Sequence, residues 1–190
     1  MTEREEQFAE AALRVIERYG MKRTTMGDIA GEAGVSRQTL YTVYPSKEDV
    51  LRGVIRLTCG RTSAAIDEEC AKQEGLEAKL STMFEHMTLA PYRMIAAMPD
   101  AADFVIGFKD AATCELDRAY DRYTDTMRDI LAPYAQQIEK AGLNVDRLSA
   151  YVVNSAKTFK KEARDEAELV EMLEVLKRMV VLIAGKASVT

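Results

Sequence analysis

An all-α fold is what this sequence predicts, and three observations carry that expectation. Apolar residues recur at spacings of three and four along most of the chain, the mark of helices with one buried face. No run alternates apolar and polar residues between hairpin turns, as half-buried strands would. The four prolines and ten glycines mostly separate the periodic stretches, where they serve as stops.

The elements follow in order. A first helix over about 2–19 sets Phe8, Ala11, Ala12, Val15, Ile16 and Tyr19 on one stripe, and Gly20 ends it. A second starts after Thr25, where Thr25-Met26-Gly27-Asp28 has the shape of a capping box with Asp in the place of Glu. Met26, Ile29, Ala30 and Ala33 then face inward. Gly34 permits a tight turn, Ser36 caps a short third helix from Arg37 to about Val43, and Pro45 stops it. Ser46-Lys47-Glu48-Asp49 again resembles a capping box and opens a long helix over 46–73. The next helix covers 76–89, with Leu80, Met83, Phe84 and Met87 on one face. Pro91 fits the first turn of a short helix that carries Tyr92, Met94, Ile95 and Met98. Pro99-Asp100 marks a break, and 101–138 is helical, open to a split near Gly107 or Lys109. Two last helices cover about 145–161 and 165–184.

Composition bounds the function. The chain has 190 residues, 47% of them hydrophobic, enough for a sizeable core in one large or two small domains. No run approaches the roughly 18 apolar residues of a membrane span. The first residues, Met1-Thr2-Glu3-Arg4-Glu5-Glu6, are the opposite of a secretory signal, so a cytoplasmic protein without membrane contact is expected. The cysteines Cys59, Cys70 and Cys114 are odd in number and unpaired in motif, which argues against a disulfide framework. His86 is the sole histidine, so no histidine-based metal cluster can form, and neither a metal nor a cofactor is expected. No Ser-His-Asp set, carboxylate pair or phosphate loop stands out, which argues against an enzyme. The net charge of −5 sits beyond residue 60: residues 1–60 hold nine Lys and Arg against nine Asp and Glu, and from Gly20 to Gly60 bases outnumber acids six to four. A local basic face can still grip phosphates.

The informative stretch is TTMGDIAGEAGVSRQTLYTVYPSKEDVL, Thr24 to Leu51. Helix, glycine turn and short capped helix form the layout of a helix-turn-helix. The second helix of such a unit enters a major groove, so it needs polar residues outward over apolar support. Leu40 and Val35 supply the support and leave Arg37, Gln38, Thr39 and Thr42 facing out. Arginine and glutamine are able to make paired contacts with guanine and adenine respectively.

The strings Gly34-Val35-Ser36-Arg37-Gln38-Thr39-Leu40-Tyr41 and Tyr44-Pro45-Ser46-Lys47-Glu48 resemble the signature of TetR-family regulators, and Gly20, Thr25, Ile29, Ala30 and Ala33 fit it too. The resemblance covers roughly the first 55 residues. It implies a DNA-binding domain over 1–50 and a helical regulatory domain over 51–190. It also implies DNA-contacting roles at matching positions: Thr25 and Tyr41 on phosphate or sugar, Ser36, Arg37, Gln38, Thr39 and Thr42 on the recognition helix, and Lys47 as a phosphate clamp at a helix N-terminus. Val43 stands where many members have histidine, and Tyr44 where many have phenylalanine, so the Tyr44 hydroxyl either replaces a phosphate contact at 43 or packs against the first helix.

The resemblance further implies near-palindromic operator DNA, a homodimer and a small-molecule effector. The stripes of the last two helices fit a four-helix dimer interface, with Leu148, Tyr151, Val152 and Phe159 on one and Leu169, Met172, Leu173, Leu176, Met179 and Val180 on the other, and ordinary core packing is the alternative. An effector pocket falls to the middle helices, with Met83, His86, Met87, Tyr92, Met94, Met98, Phe104, Phe108, Tyr120, Tyr123 and Met127 as its candidate lining, since methionine adapts to varied shapes and aromatic faces take flat ligands; plain core filling is the alternative. Arg93, Asp103 and Lys109 are further groups able to orient a ligand. The expected mechanism is a ligand-released repressor, in which the long helix, about 40 Å at 1.5 Å per residue, carries a tilt from pocket to DNA. The alternatives are a constitutive DNA binder and a helical protein-interaction module.

Overall fold

The computed structural model describes residues 1–98 and 101–185, and for 101–112 the backbone only. Every regular element it describes is helical: α1 Glu3–Tyr19, α2 Met26–Glu32, α3 Arg37–Val43, α4 Lys47–Lys72, α5 Leu76–Phe84, α6 Ala90–Ala96, α7 Ala101–Leu131, α8 Ala135–Lys140, α9 Val145–Glu162 and α10 Glu166–Ala184, with a π turn at Glu85–Leu89 and a 3₁₀ turn at Ala132–Tyr134. The described residues form two compact units, 1–61 with 94–98 and 101–119, and 62–93 with 120–185. None of the described helices is long and apolar enough to cross a membrane.

In the first unit, α1 starts from a capping box. The Thr2 amide donates to Glu5 Oε2 at 2.7 Å, and the Glu5 amide donates to Thr2 Oγ1 at 3.3 Å. One face of α1 buries Phe8, Ala9, Ala11, Ala12, Val15 and Ile16. Tyr19, expected on that stripe, is half exposed at the last turn of the helix, with the Arg18 guanidinium 5.7 Å from its ring centre. Phe8, Ala12, Ile29, Ala30, Leu40, Tyr44, Val50, Val54 and Leu57 form one continuous core. Ile16, Leu51 and Met98 form a second cluster, against which Met94 and Ile95 pack. Arg14 ties α1 to α2 through Glu32 at 2.7 Å.

In the second unit, α5, α8, α9 and α10 pack together around buried Leu76, Leu80, Met83, Ile138, Leu148, Val152, Leu169, Leu173, Leu176 and Val180. Two boundaries differ from the sequence expectation. α7 does not split at Gly107 or Lys109 but continues to Leu131. A lone glycine only weakens a helix, whereas Pro133 lacks an amide and its ring clashes with the carbonyl four residues back. The break therefore falls at 132–134. Likewise the helix before Pro91 does not end. It widens into the π turn, where the Ala90 amide bonds the Glu85 carbonyl five residues back, and α6 continues from it. A π turn leaves room for a proline whose ring would strike a regular turn.

Candidate nucleic-acid interface

The recognition unit is built from caps. Thr25 Oγ1 accepts from the Asp28 amide at 3.2 Å and donates to Asp28 Oδ2 at 2.7 Å, while the Thr25 amide donates to the same carboxylate at 2.9 Å. The Thr25 hydroxyl, then its amide, hold the Asp28 carboxyl below the usual carboxylate range, and the Arg37 and Lys47 charges add to this. α2 ends where the Val35 amide reaches the Ala30 carbonyl at 2.9 Å and the Gly34 amide reaches that of Gly31 at 3.2 Å. Gly34 has φ of +69°, a left-handed conformation that favours glycine. Thr24 is buried and donates to the Gly20 carbonyl at 2.7 Å, fixing the loop that leads into α2.

α3 then starts from Ser36, whose Oγ accepts from the Thr39 amide at 3.1 Å and lies 2.8 Å from Thr39 Oγ1. Leu40 is fully buried beneath the helix. Arg37, Gln38, Tyr41 and Thr42 are exposed above it. The Gln38 and Tyr41 side chains have no hydrogen-bond partner among the described residues, and Tyr41 is 47% exposed. Thr42 Oγ1 donates to the Thr39 carbonyl at 2.7 Å. Lys47, on the first turn of α4, donates to the Met21 carbonyl at 2.6 Å.

Tyr44 requires a correction. It is buried, and its hydroxyl donates 2.9 Å to the Glu5 carbonyl of α1. Burial pushes its phenol up to about 12. It closes the core under α3 and is not on the surface that α3 presents. The signal was in the sequence at Gly53. A Cβ there would lie within 2.6 Å of the Tyr44 ring carbon Cζ and closer still to its hydroxyl. The Thr25 and Ser36 hydroxyls are engaged in capping, and the Thr39 hydroxyl pairs with that of Ser36.

The effector candidates separate into groups. Met83, Met87, Tyr123 and Met127 are buried in the second unit, whereas His86, Tyr92 and Tyr120 are half-buried there. Tyr120 and Tyr123 meet edge to face at 5.7 Å, and Lys160 donates to the Tyr120 hydroxyl at 3.1 Å. His86 Nε2 lies 2.9 Å from Glu69. Arg93 bridges Glu85 at 2.6 Å and Glu166 at 2.7 Å. Met94 and Met98 do not join the others. They pack on Ile16 and Leu51 in the first unit, because α6 continues past the π turn into that unit. Phe104, Phe108, Asp103 and Lys109 lie outside the described side chains.

The interface candidates divide as well. Leu148, Val152, Leu169, Leu173, Leu176 and Val180 are buried within the chain itself, and Phe159 and Met172 are half-buried. Their stripe is therefore largely the second unit's own core. Tyr151 and Met179 are exposed, at 60% and 48%, and the sequence reading passed over Val175 and Leu182, exposed at 59% and 81%.

These elements define an all-α protein whose N-terminal unit is a helix-turn-helix with an uncovered second helix. Residues 9–54 match the family model of bacterial regulatory proteins of the tetR family. Over those residues, about a quarter of the chain, it is similar to the DNA-binding domain of TetR-family regulators. YfiR, an uncharacterized HTH-type transcriptional regulator of Bacillus subtilis (strain 168), is 29% identical over 85 residues, 45% of this chain and 41% of that protein, so the match spans less than half of the relative. Among solved structures, a transcriptional regulator from Cytophaga hutchinsonii ATCC 33406 superposes with a TM-score of 0.70 at 16% identity, over 93% of this chain and 94% of that one. The transcriptional regulator FadR from Bacillus subtilis, in complex with stearoyl-CoA, superposes with a TM-score of 0.54 at 17% identity, over 90% and 96%. At these identities the likeness shows the fold.

Proposed function

We propose that this chain is a DNA-binding transcriptional regulator that acts as a homodimer on a near-palindromic operator, with residues 1–50 reading DNA and residues 51–190 holding the dimer contact and an effector. The observation that carries the reading is the face of α3: Arg37, Gln38, Tyr41 and Thr42 stand exposed over a fully buried Leu40. A groove-entering helix needs such a face. Arg37 and Gln38 read base edges, Tyr41 and Thr42 flank them, and Lys47 exchanges its bond to the Met21 carbonyl for a phosphate. Two such helices in successive major grooves stand roughly 34–36 Å apart.

The test separates readout from grip. Arg37→Ala should lose about 1–3 kcal/mol of discrimination between operator and mutated operator, because a paired base contact goes. Lys47→Ala should weaken operator and random DNA alike and make the salt dependence shallower by about one unit. Failure of the protein to shift any fragment of its own regulatory region at low salt overturns the reading and leaves a protein-interaction module.

A ligand-released repressor is the finer reading. Its support is the methionine-rich interior of the second unit, where Met83, Met87, Met127 and Tyr123 are buried, together with a fold neighbour that holds stearoyl-CoA. An acylated molecule is the first class to try. Coupling is reciprocal, so operator DNA should weaken the ligand by the factor by which ligand weakens the operator, about 1–3 kcal/mol. Titration calorimetry with and without operator measures it. Equal ligand affinities would leave a constitutive DNA binder.

A further inference from the structure

We infer that Gly27 is a positioning residue for DNA readout: it forms a slot on α2 in which the Arg37 guanidinium lies, and so fixes the direction in which Arg37 meets a base. The inference rests on the DNA-reading role proposed above for α3.

The argument starts from a glycine that the backbone does not require. Gly27 is the second residue of α2, and it is not among the glycines with positive φ. Glycine costs a helix stability at such a position. Gly31, in the same helix, faces open space, so a side chain there would meet nothing. Position 27 differs. A Cβ built on it would stand 2.7 Å from Arg37 Cζ and Nε and closer still to Nη2. All three atoms belong to the guanidinium, and none is backbone. The planar head of Arg37 therefore rests where the Gly27 side chain would be.

The electrostatics of the slot are specific. The N-terminal end of a helix is a poor place for a cation, because its amides present partial positive charge. Asp28, next to Gly27, supplies the compensating carboxylate and feels both Arg37 and Lys47. Arg37 is the first residue of α3, so its head lies across the seam between the two helices of the motif. A guanidinium held in one orientation has less rotamer freedom to lose on binding and offers its fork of donors in one direction. Any side chain at 27 expels it. The expelled group is the far end of a flexible chain, so the fold survives and only the aim of Arg37 changes.

The experiment uses the full chain and DNA selected by the wild-type protein from a randomised duplex pool. Gly27→Ala should keep the wild-type melting temperature or raise it. It should leave affinity for random DNA within about twofold and reduce discrimination at the base pairs that Arg37→Ala also affects by roughly tenfold. In a Gly27→Ala/Arg37→Ala double variant, the alanine at 27 should have no further effect. A DNA-free readout accompanies this: the Arg37 Nε–H NMR signal should be shifted from that of a free arginine in the wild type and return towards it in Gly27→Ala. Equal loss of discrimination with and without Arg37 overturns the proposal, as does an Arg37 signal already at the free position in the wild type. A wild-type protein that selects no DNA overturns the regulator reading, and the specificity role with it, even where the NMR signal shows the slot occupied.

Discussion

Leu182→Glu is expected to turn the protein into a folded monomer that no longer holds an operator. Along α10, Val175, Met179 and Leu182 are spaced by four and three residues and are 59%, 48% and 81% exposed. Tyr151 on α9 is 60% exposed. Among the described residues Leu182 is the most exposed large apolar side chain, and it does nothing for the single chain that glutamate could not do. If these side chains are buried against a second copy, a charge among them is taken out of water without a partner, at a cost of several kcal/mol. The dimer should then weaken by a hundredfold or more, and operator binding should fall with it, because one recognition helix reads too few bases. Light scattering measures the mass, and circular dichroism the retained helix. Leu176→Glu is the contrasting variant. Leu176 is 4% exposed, so that change should unfold the second unit and not merely split a dimer. A Leu182→Glu protein that remains a dimer would place the contact elsewhere.

The second large effect is expected at Gly53. Its alanine variant should destabilise the first unit by about 1–3 kcal/mol net, as overpacking does in a filled core, even though alanine is the better helix former. The added methyl meets the Tyr44 hydroxyl and ring, and that ring is 6% exposed with nowhere to go. This is the opposite of Gly27, where the obstructing group is free to swing away. Tyr44→Phe should cost about 1 kcal/mol or less, since it removes one hydrogen bond and keeps the packing. It also provides a check through pH. The folded phenol is raised to about 12 from an ordinary value of 10.0. The buried neutral phenol therefore contributes fully below pH 10, and stability is lost between about 10 and 12 as the unfolded chain ionises first. Melting curves across that range should fall more steeply for the wild type than for Tyr44→Phe. Parallel curves, or a Gly53→Ala protein as stable as the parent, would contradict this packing.

The helix-turn-helix was legible because its information is local. Thr25 with Asp28, Ser36 with Thr39, and Gly34 are caps and turns decided within four residues, and a sequence displays them directly. What was not legible depends on which of two apolar edges turns inward. α10 carries Leu173, Leu176 and Val180 on one side and Val175, Met179 and Leu182 on the other. A helical period marks both edges without ranking them, so core and exposed face merged into one stripe. Between DNA and the first helix, the two places open to Tyr44, the sequence does not decide for a related reason: its ring direction is set by α1 and by the gap at Gly53, nine residues on. Met94 and Met98 resemble Met83 and Met87 in composition, yet the units divide between Arg93 and Met94. Gly107 leaves α7 unbroken, whereas Pro133 ends it.

The π turn before Pro91 changes how this stretch of sequence must be counted. Each residue of a regular helix advances the side chains by about 100°, so residues eight apart point some 80° away from each other. Glu85 and Arg93 are eight apart and nevertheless form an ion pair at 2.6 Å. The widened turn absorbs one residue beyond the regular count. Everything after it along the helix is therefore out of phase with what precedes it, and Arg93 is brought round to Glu85 and Glu166 together. A relative without a proline at this point has no steric reason to keep the extra residue. Its alignment with this chain should then open a single-residue gap between 85 and 91, and read without that gap, every facing assigned to residues 91–96 would be wrong by about a quarter turn.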